Sequence, residues 1–209
     1  MTTPATSKTR DGRETRAFSS AIEVRAVTAE QQTRTAAGYA ALFNTKTDIG
    51  GYWTETIAPG AFTKSLQERD VVALHSHDRG RVVGRLGAGT LTLREDATGL
   101  AFENPLPDTT DGRDLSVQID RGDIPGMSFG FAARKEQWDE TVDPPHRTIL
   151  EAALFEITYT SSPAYPDTTV GLRSLEHARA ERRDHNRAAA AARIAERRAR
   201  QAQAERGLR

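Results

Sequence analysis

Apolar residues recur at every second position in several separate stretches of this chain, and at helical spacing in only two. A period of two is that of a strand with one buried face. Weak alternation in AIEVRAV, residues 21–27, predicts an edge or half-buried strand. TAAGYAALF, residues 35–43, predicts a second, with Gly38 at a bulge or close backbone approach. Residues 44–62 read as a long loop with a Gly50–Gly51 turn, closing in a short strand at Tyr52–Ile57. In GAFTKSLQER, Ala61, Phe62 and Leu66 fall at helical spacing. VVALHSH is a short apolar strand, and residues 81–107 hold three strand-like pieces, the last two joined at DATG as a hairpin. TTDGRDLSVQIDRG predicts the second helix. Thr110 or Asp111 caps it, Leu115 and Ile119 stack one turn apart, and Gly122 takes the position just past its end. Strands return in IPGMSFGFAA and in RTILEAALFEITYTSS.

Strands that are never separated by regular helices exclude a βαβ protein. The order predicts an α+β fold with an antiparallel or mixed, barrel-like sheet and short helices around it. Residues 1–17 are polar and aperiodic, which predicts a disordered arm. Residues 18–173 form the predicted domain, and residues 174–209, rich in Ala, Arg and Glu with hardly an apolar stripe, a charged helical tail.

Charge sharpens that division. The chain is neutral as a whole, but the tail from Ser174 to Arg209 holds ten arginines and five acidic residues, leaving it at +5 and the remainder at −5. There is no cysteine, which excludes disulfides and thiolate sites. No apolar run approaches a membrane span, and the N-terminus has no apolar core of a secretory signal, so a cytosolic location without membrane contact is expected.

IPGMSFGF contains G-x-S-x-G: Gly126, Ser128 and Gly130. That is the pattern of a nucleophile elbow, which needs a sharp strand-to-helix turn after the serine. Here Met127, Phe129 and Phe131 alternate with Ser128, Gly130 and Ala132, so a strand runs through the serine instead. One face carries large apolar side chains for a core. The other carries a hydroxyl flanked by tiny residues, with room for another chain. The ordinary alternative is a serine on a solvated strand face.

A serine needs a base, and histidine is the usual one. LHSHD offers His75 and His77, two apart and so on one face of a strand or its end. H-x-H can also chelate a metal, but no nearby carboxylate pattern completes a ligand set, and neither metal nor cofactor is expected. In LEAALFEITYT, alternation puts Leu154, Glu156 and Thr158 on one face and Phe155, Ile157 and Tyr159 on the other. A carboxylate buried in so apolar a strand needs a partner, and an imidazole N–H is a suitable one.

The succession GYAALFN, ETIAPGAF, LHSHD with VVGRL, GTLTLREDATGLAFENPLP, IPGMSFGF and LFEITYTSSPAYPDT, over about residues 20–173, resembles the prohead proteases of tailed phages, distant relatives of the herpesvirus assemblins. The resemblance implies an assemblin-like, mostly antiparallel β-barrel ringed by short helices. It implies Ser128 as nucleophile, His77 as base and Glu156 as the third catalytic member, with His75 and Asp78 as alternatives for the last role. Backbone N–H groups of TSSPAYP are the first candidates for an oxyanion hole, and Arg134 a weaker one. The implied activity is that of a serine endopeptidase acting on the scaffold, on the scaffolding segment of the major capsid protein precursor, and on itself, inside the procapsid in the host cytoplasm. The resemblance admits a homodimer. A non-catalytic capsid-assembly or scaffolding protein is the competing class. Nucleic-acid binding is disfavoured, because the tail has five acidic residues and no aromatics.

Overall fold

A computed structural model describes residues 12–19, 21–25, 34–161 and five residue pairs between 179 and 196. The chain separates into two compact units, Met1–Val170 and Gly171–Arg209. In the second, the described positions are helical. Among the described residues, no helix is long and apolar enough to cross a membrane.

The first unit is built from eleven strands and two α-helices: β1 Glu14–Ser19, β2 Glu23–Arg25, β3 Thr35–Leu42, β4 Thr47–Ile49, β5 Trp53–Ile57, α1 Thr63–Glu68, β6 Val72–His75, β7 Asp78–Arg85, β8 Thr92–Glu95, β9 Gly99–Pro105, α2 Thr110–Asp120, β10 Gly126–Asp139 and β11 His146–Thr160. Strands β2-β3-β9-β8 make a four-stranded antiparallel sheet. The other seven make a sheet running β1-β10-β11-β5-β4, with β6 and β7 joined to it through β11.

The expected barrel is not what these strands form. β11 is 15 residues long and changes partner along its length. Its first part pairs parallel with β5 from His146 to Ile149, and its second part pairs parallel with β6 from Glu156 to Tyr159. Each partner then carries its own antiparallel neighbour, β4 or β7, so the sheet forks and stays open. The two parallel pairings also make it mixed rather than antiparallel.

The core lies against one face of this sheet. Met127, Phe129 and Phe131 of β10 and Leu154, Ile157 and Tyr159 of β11 are all buried there with Leu100 and Phe102 of β9. Phe102 meets Tyr159 edge-on at 5.8 Å, and Phe62, at the start of α1, meets Phe129 at 5.7 Å, arrangements that aromatic quadrupoles favour. In α2, Leu115 and Ile119 face inward, while the Thr109 hydroxyl, one residue earlier than expected, caps the helix by accepting from the Gly112 N–H. Gly122 follows with a φ of +79°, a left-handed turn that glycine adopts without strain.

The predicted arm over residues 1–17 is wrong at its C-terminal end. Glu14–Ser19 is strand β1, antiparallel to β10, with Ala17 opposite Ser128. Its anchor is ionic, which is why no apolar period announces it. Arg16 donates to Glu14 and Glu55, while Arg147, wholly buried, donates to Glu14, Glu55 and Glu136. Residues 1–11 lie outside those described.

Candidate active site

Ser128, the third residue of β10, is paired on both sides, with Ala17 of β1 and Thr158 of β11. The sheet face opposite the core carries Ser128, Gly130, Thr158 and Glu156. Small residues on this face make room for a side chain. A Cβ added to Gly130 would stand 2.9 Å from Glu156 Cγ, so the carboxylate arm lies directly over the glycine. Ser128 is 1% exposed, and its Oγ has no hydrogen-bond partner among the described residues. An unsatisfied buried hydroxyl is uncommon and calls for a functional or energetic reason.

The β6–β7 connection brings the histidine. It is a two-residue turn, Ser76 and His77, with φ of +54° and +59°. Positive φ at both central residues is the hairpin geometry that glycine and asparagine normally supply. Holding two L-residues there costs on the order of 1–3 kcal/mol each, a kind of strain concentrated at functional sites. Thr158 holds the turn in place. Its hydroxyl accepts from the His77 main-chain N–H at 2.9 Å and donates to the Leu74 carbonyl at 3.0 Å. His77 Nδ1 then lies 2.6 Å from Glu156 Oε1. A neutral Nδ1–H donating to the carboxylate leaves Nε2 as the basic nitrogen.

The structure therefore brings His77 and Glu156 into contact, and places Ser128 two ladder positions from Glu156 on the same face. Strand neighbours on that diagonal are about 7–8 Å apart, a gap that one ring can span. The alternatives for the third member are elsewhere. His75 and His77 do not share a face. His75 is the last residue of β6, in register with Tyr159 on the core side, and is buried with its Nδ1 unpartnered among the described residues. Burial, with Arg81 nearby, lowers its pKa against the opposing pull of Asp111, Asp114 and Asp78. Asp78 turns back to accept from the Gly80 N–H. Arg134 is held by Glu68 and Glu151. Of the segment TSSPAYP, residues 162–166 lie outside those described.

Simple alternation fails at two points in β11, Leu150 and Phe155, and the second bears on the site. Gly130 pairs with Glu156 but Phe131 pairs with Leu154, so Phe155 is an extra residue in a β-bulge. The bulge sends Leu154 into the core with Ile157, not to the face of Glu156. Thr158, which fixes the histidine turn, had a signal in the sequence: it is two residues from Glu156 in the same strand.

Among the described residues, no three His, Cys, Asp or Glu side chains cluster to hold a metal ion. The His77–Glu156 pair is suited to proton transfer at a hydroxyl, with a carboxylate fixing the imidazole tautomer.

Comparison with known proteins agrees in kind. A family model described as caudovirus prohead serine protease matches residues 20–182. The prohead protease of Enterobacteria phage HK97 is 35% identical over 132 residues, which cover 61% of this chain and 54% of that protein. The chain thus spans about half the length of this curated relative. The capsid assembly protease of bacteriophage T4 is similar in structure, with a TM-score of 0.50 and 8% identity, over 71% of this chain and 97% of that one. That likeness is one of fold.

Proposed function

The chain belongs to the caudovirus prohead serine proteases, and from that membership we propose that it is the endopeptidase of procapsid maturation, with Ser128, His77 and Glu156 as its catalytic set. The observation that carries the proposal is the 2.6 Å contact of His77 Nδ1 with Glu156 Oε1, on the same sheet face as a buried serine hydroxyl that has no hydrogen-bond partner among the described residues. In this reading His77 Nε2 takes the proton as Ser128 Oγ attacks the scissile carbonyl. It then delivers that proton to the leaving amine, and the acyl-enzyme forms. Water, activated by the same nitrogen, releases the acyl group. Glu156 stays ionised throughout and stabilises the imidazolium. With Ser128 1% exposed, productive binding includes a local opening of the site.

The substrates are the scaffold or the scaffolding segment of the capsid protein precursor, together with the protease's own ends. The +5 tail would draw the enzyme to acidic surfaces of those partners, an attraction that salt weakens. The test is incubation with capsid precursor, followed on gels and by mass spectrometry. The wild-type chain should cleave. Ser128→Ala and His77→Ala should each lose about a thousandfold or more, as members of one unit do. Retained cleavage by Ser128→Ala sinks the assignment. Absence of cleavage by the wild type favours a non-catalytic assembly role.

A further inference from the structure

Two hydroxyls share the sheet face opposite the core, Ser128 and Thr158, paired across the β10–β11 ladder. Residues directly opposite in such a ladder stand about 4.5–5.5 Å apart at Cβ. Both are buried, at 1% and 0% exposure. Their hydrogen bonding is opposite in kind. Ser128 Oγ has no partner among the described residues. Thr158 Oγ1 gives its one proton to the Leu74 carbonyl at 3.0 Å and accepts from the His77 N–H at 2.9 Å. A hydroxyl whose proton is committed to a carbonyl has none to hand to an imidazole. Thr158 is thereby set apart from its neighbour: one hydroxyl is left free to react, and the other is tied into the frame.

The two bonds of Thr158 straddle the β6–β7 turn, since Leu74 precedes it and His77 ends it. Two more bonds run from the turn to β11. The Ser76 N–H donates to the Tyr159 carbonyl at 2.9 Å, and His77 Nδ1 meets Glu156 Oε1 at 2.6 Å. Residues at positive φ persist only where their surroundings over-determine them, and β11 does this through Glu156, Thr158 and Tyr159. The three ties act on different parts. Tyr159 holds the first turn residue. Glu156 holds the imidazole ring. Thr158 holds the main chain from which that ring hangs. Because Thr158 is also the ladder partner of Ser128, the path from nucleophile to base runs through one cross-strand pair, not through the long chain between them.

We infer that Thr158 is a positioning residue for the Ser128–His77 pair, its hydroxyl setting the gap across which the serine proton passes. The inference rests on the protease reading above. The hydroxyl carries the role, not the bulk of threonine. Serine keeps both bonds. Valine keeps the shape and the β-branch that suits a strand, and loses both bonds. Alanine loses both bonds and the branch.

The test is the time course of labelling by a serine-directed phosphonylating probe, read on the peptide containing Ser128 by mass spectrometry. Wild type is compared with Thr158→Val, and Thr158→Ser with Thr158→Ala, so that each pair isolates the hydroxyl. Thr158→Ser should label nearly as fast as the wild type. Thr158→Val and Thr158→Ala should label about a hundredfold more slowly, the cost of a base misplaced by about 1 Å, yet should still reach one adduct per chain. A merely structural role would do the reverse, lowering the final extent by unfolding part of the sample while the folded remainder reacts at the wild-type rate. That result overturns the inference, and so do equal rates within each pair. If Thr158→Val does not fold, the serine and alanine variants decide by the same criterion. The four chains are then incubated with capsid precursor. Cleavage at one rate by all four removes the positioning role and leaves the protease. Hydroxyl-dependent labelling without cleavage by the wild type leaves the positioning role and removes the protease.

Discussion

At the scale of single residues, Gly130→Ala would place a methyl group 2.9 Å from Glu156 Cγ, a distance that real side chains do not keep. Overpacking of this kind costs about 1–3 kcal/mol. The folded variant should therefore lose at least about tenfold in kcat/KM, because the carboxylate that holds the His77 tautomer is displaced. A melting scan with peptide turnover checks both halves. Glu156→Gln preserves the shape and removes the charge. Its activity should fall more than about tenfold, yet less than for Ser128→Ala, and unchanged turnover would move the orienting role elsewhere. The contact of His77 with Glu156 was legible, because a carboxylate in so apolar a strand needs a partner and an imidazole N–H is a suitable one. For Thr158 only its face, shared with Glu156, was legible, not its hold on the histidine turn, and the bulge at Phe155 leaves no mark in alternation. The pairing of His75 with His77 failed because two positive-φ residues turn the chain between strand and imidazole.

Among the elements, β1 is the one that hydrophobic periodicity could not find. Its inward positions, Glu14 and Arg16, are charged, and only the distant residues Glu55, Glu136 and Arg147 explain their burial. Burial by itself raises the pKa of Glu14. The hydrogen bond and charge of Arg147, with the charge and hydrogen bond of Arg16, outweigh it and leave the carboxyl below its ordinary 4.5. Because the folded value is depressed, this group's contribution to stability is complete above about 4.5 and is lost as pH falls through the depressed value. Denaturant midpoints measured against pH should therefore fall more steeply below that point for the wild type than for Glu14→Gln. Parallel curves would mean that the clasp contributes nothing that titrates. At neutral pH, Glu14→Ala takes from Arg16 and Arg147 one of the carboxylates they share, leaving Glu55 and Glu136, and should cost about 1–3 kcal/mol. The β10–β11 pair, by contrast, was legible as two strands, because its core face is written in Met, Phe, Leu and Ile.

For the whole molecule, the mixture of strands and short helices followed from composition and punctuation. The way the sheet closes did not. Whether a sheet forks or forms a barrel depends on which strands β11 pairs with, and those partners lie far away in sequence. The two ends of the chain should respond differently to truncation. A chain starting at residue 20 loses β1, exposes the β10 edge beside Ser128 and leaves Arg147 short of a partner, so it should fail to fold or should aggregate. A chain ending at Ser174 keeps every described strand and should melt cooperatively, as followed by circular dichroism. If the first truncation folds normally, the ionic clasp is dispensable. If the second does not fold, the boundary near residue 174 is wrong.

Ser128 as nucleophile is tested most directly by a serine-directed phosphonylating probe followed by peptide mapping. One adduct is expected, on the peptide containing Ser128, and it should disappear in His77→Ala because the hydroxyl has lost its base. A chain that cleaves capsid precursor while carrying its adduct on another serine, or carrying none at all, would contradict the assignment.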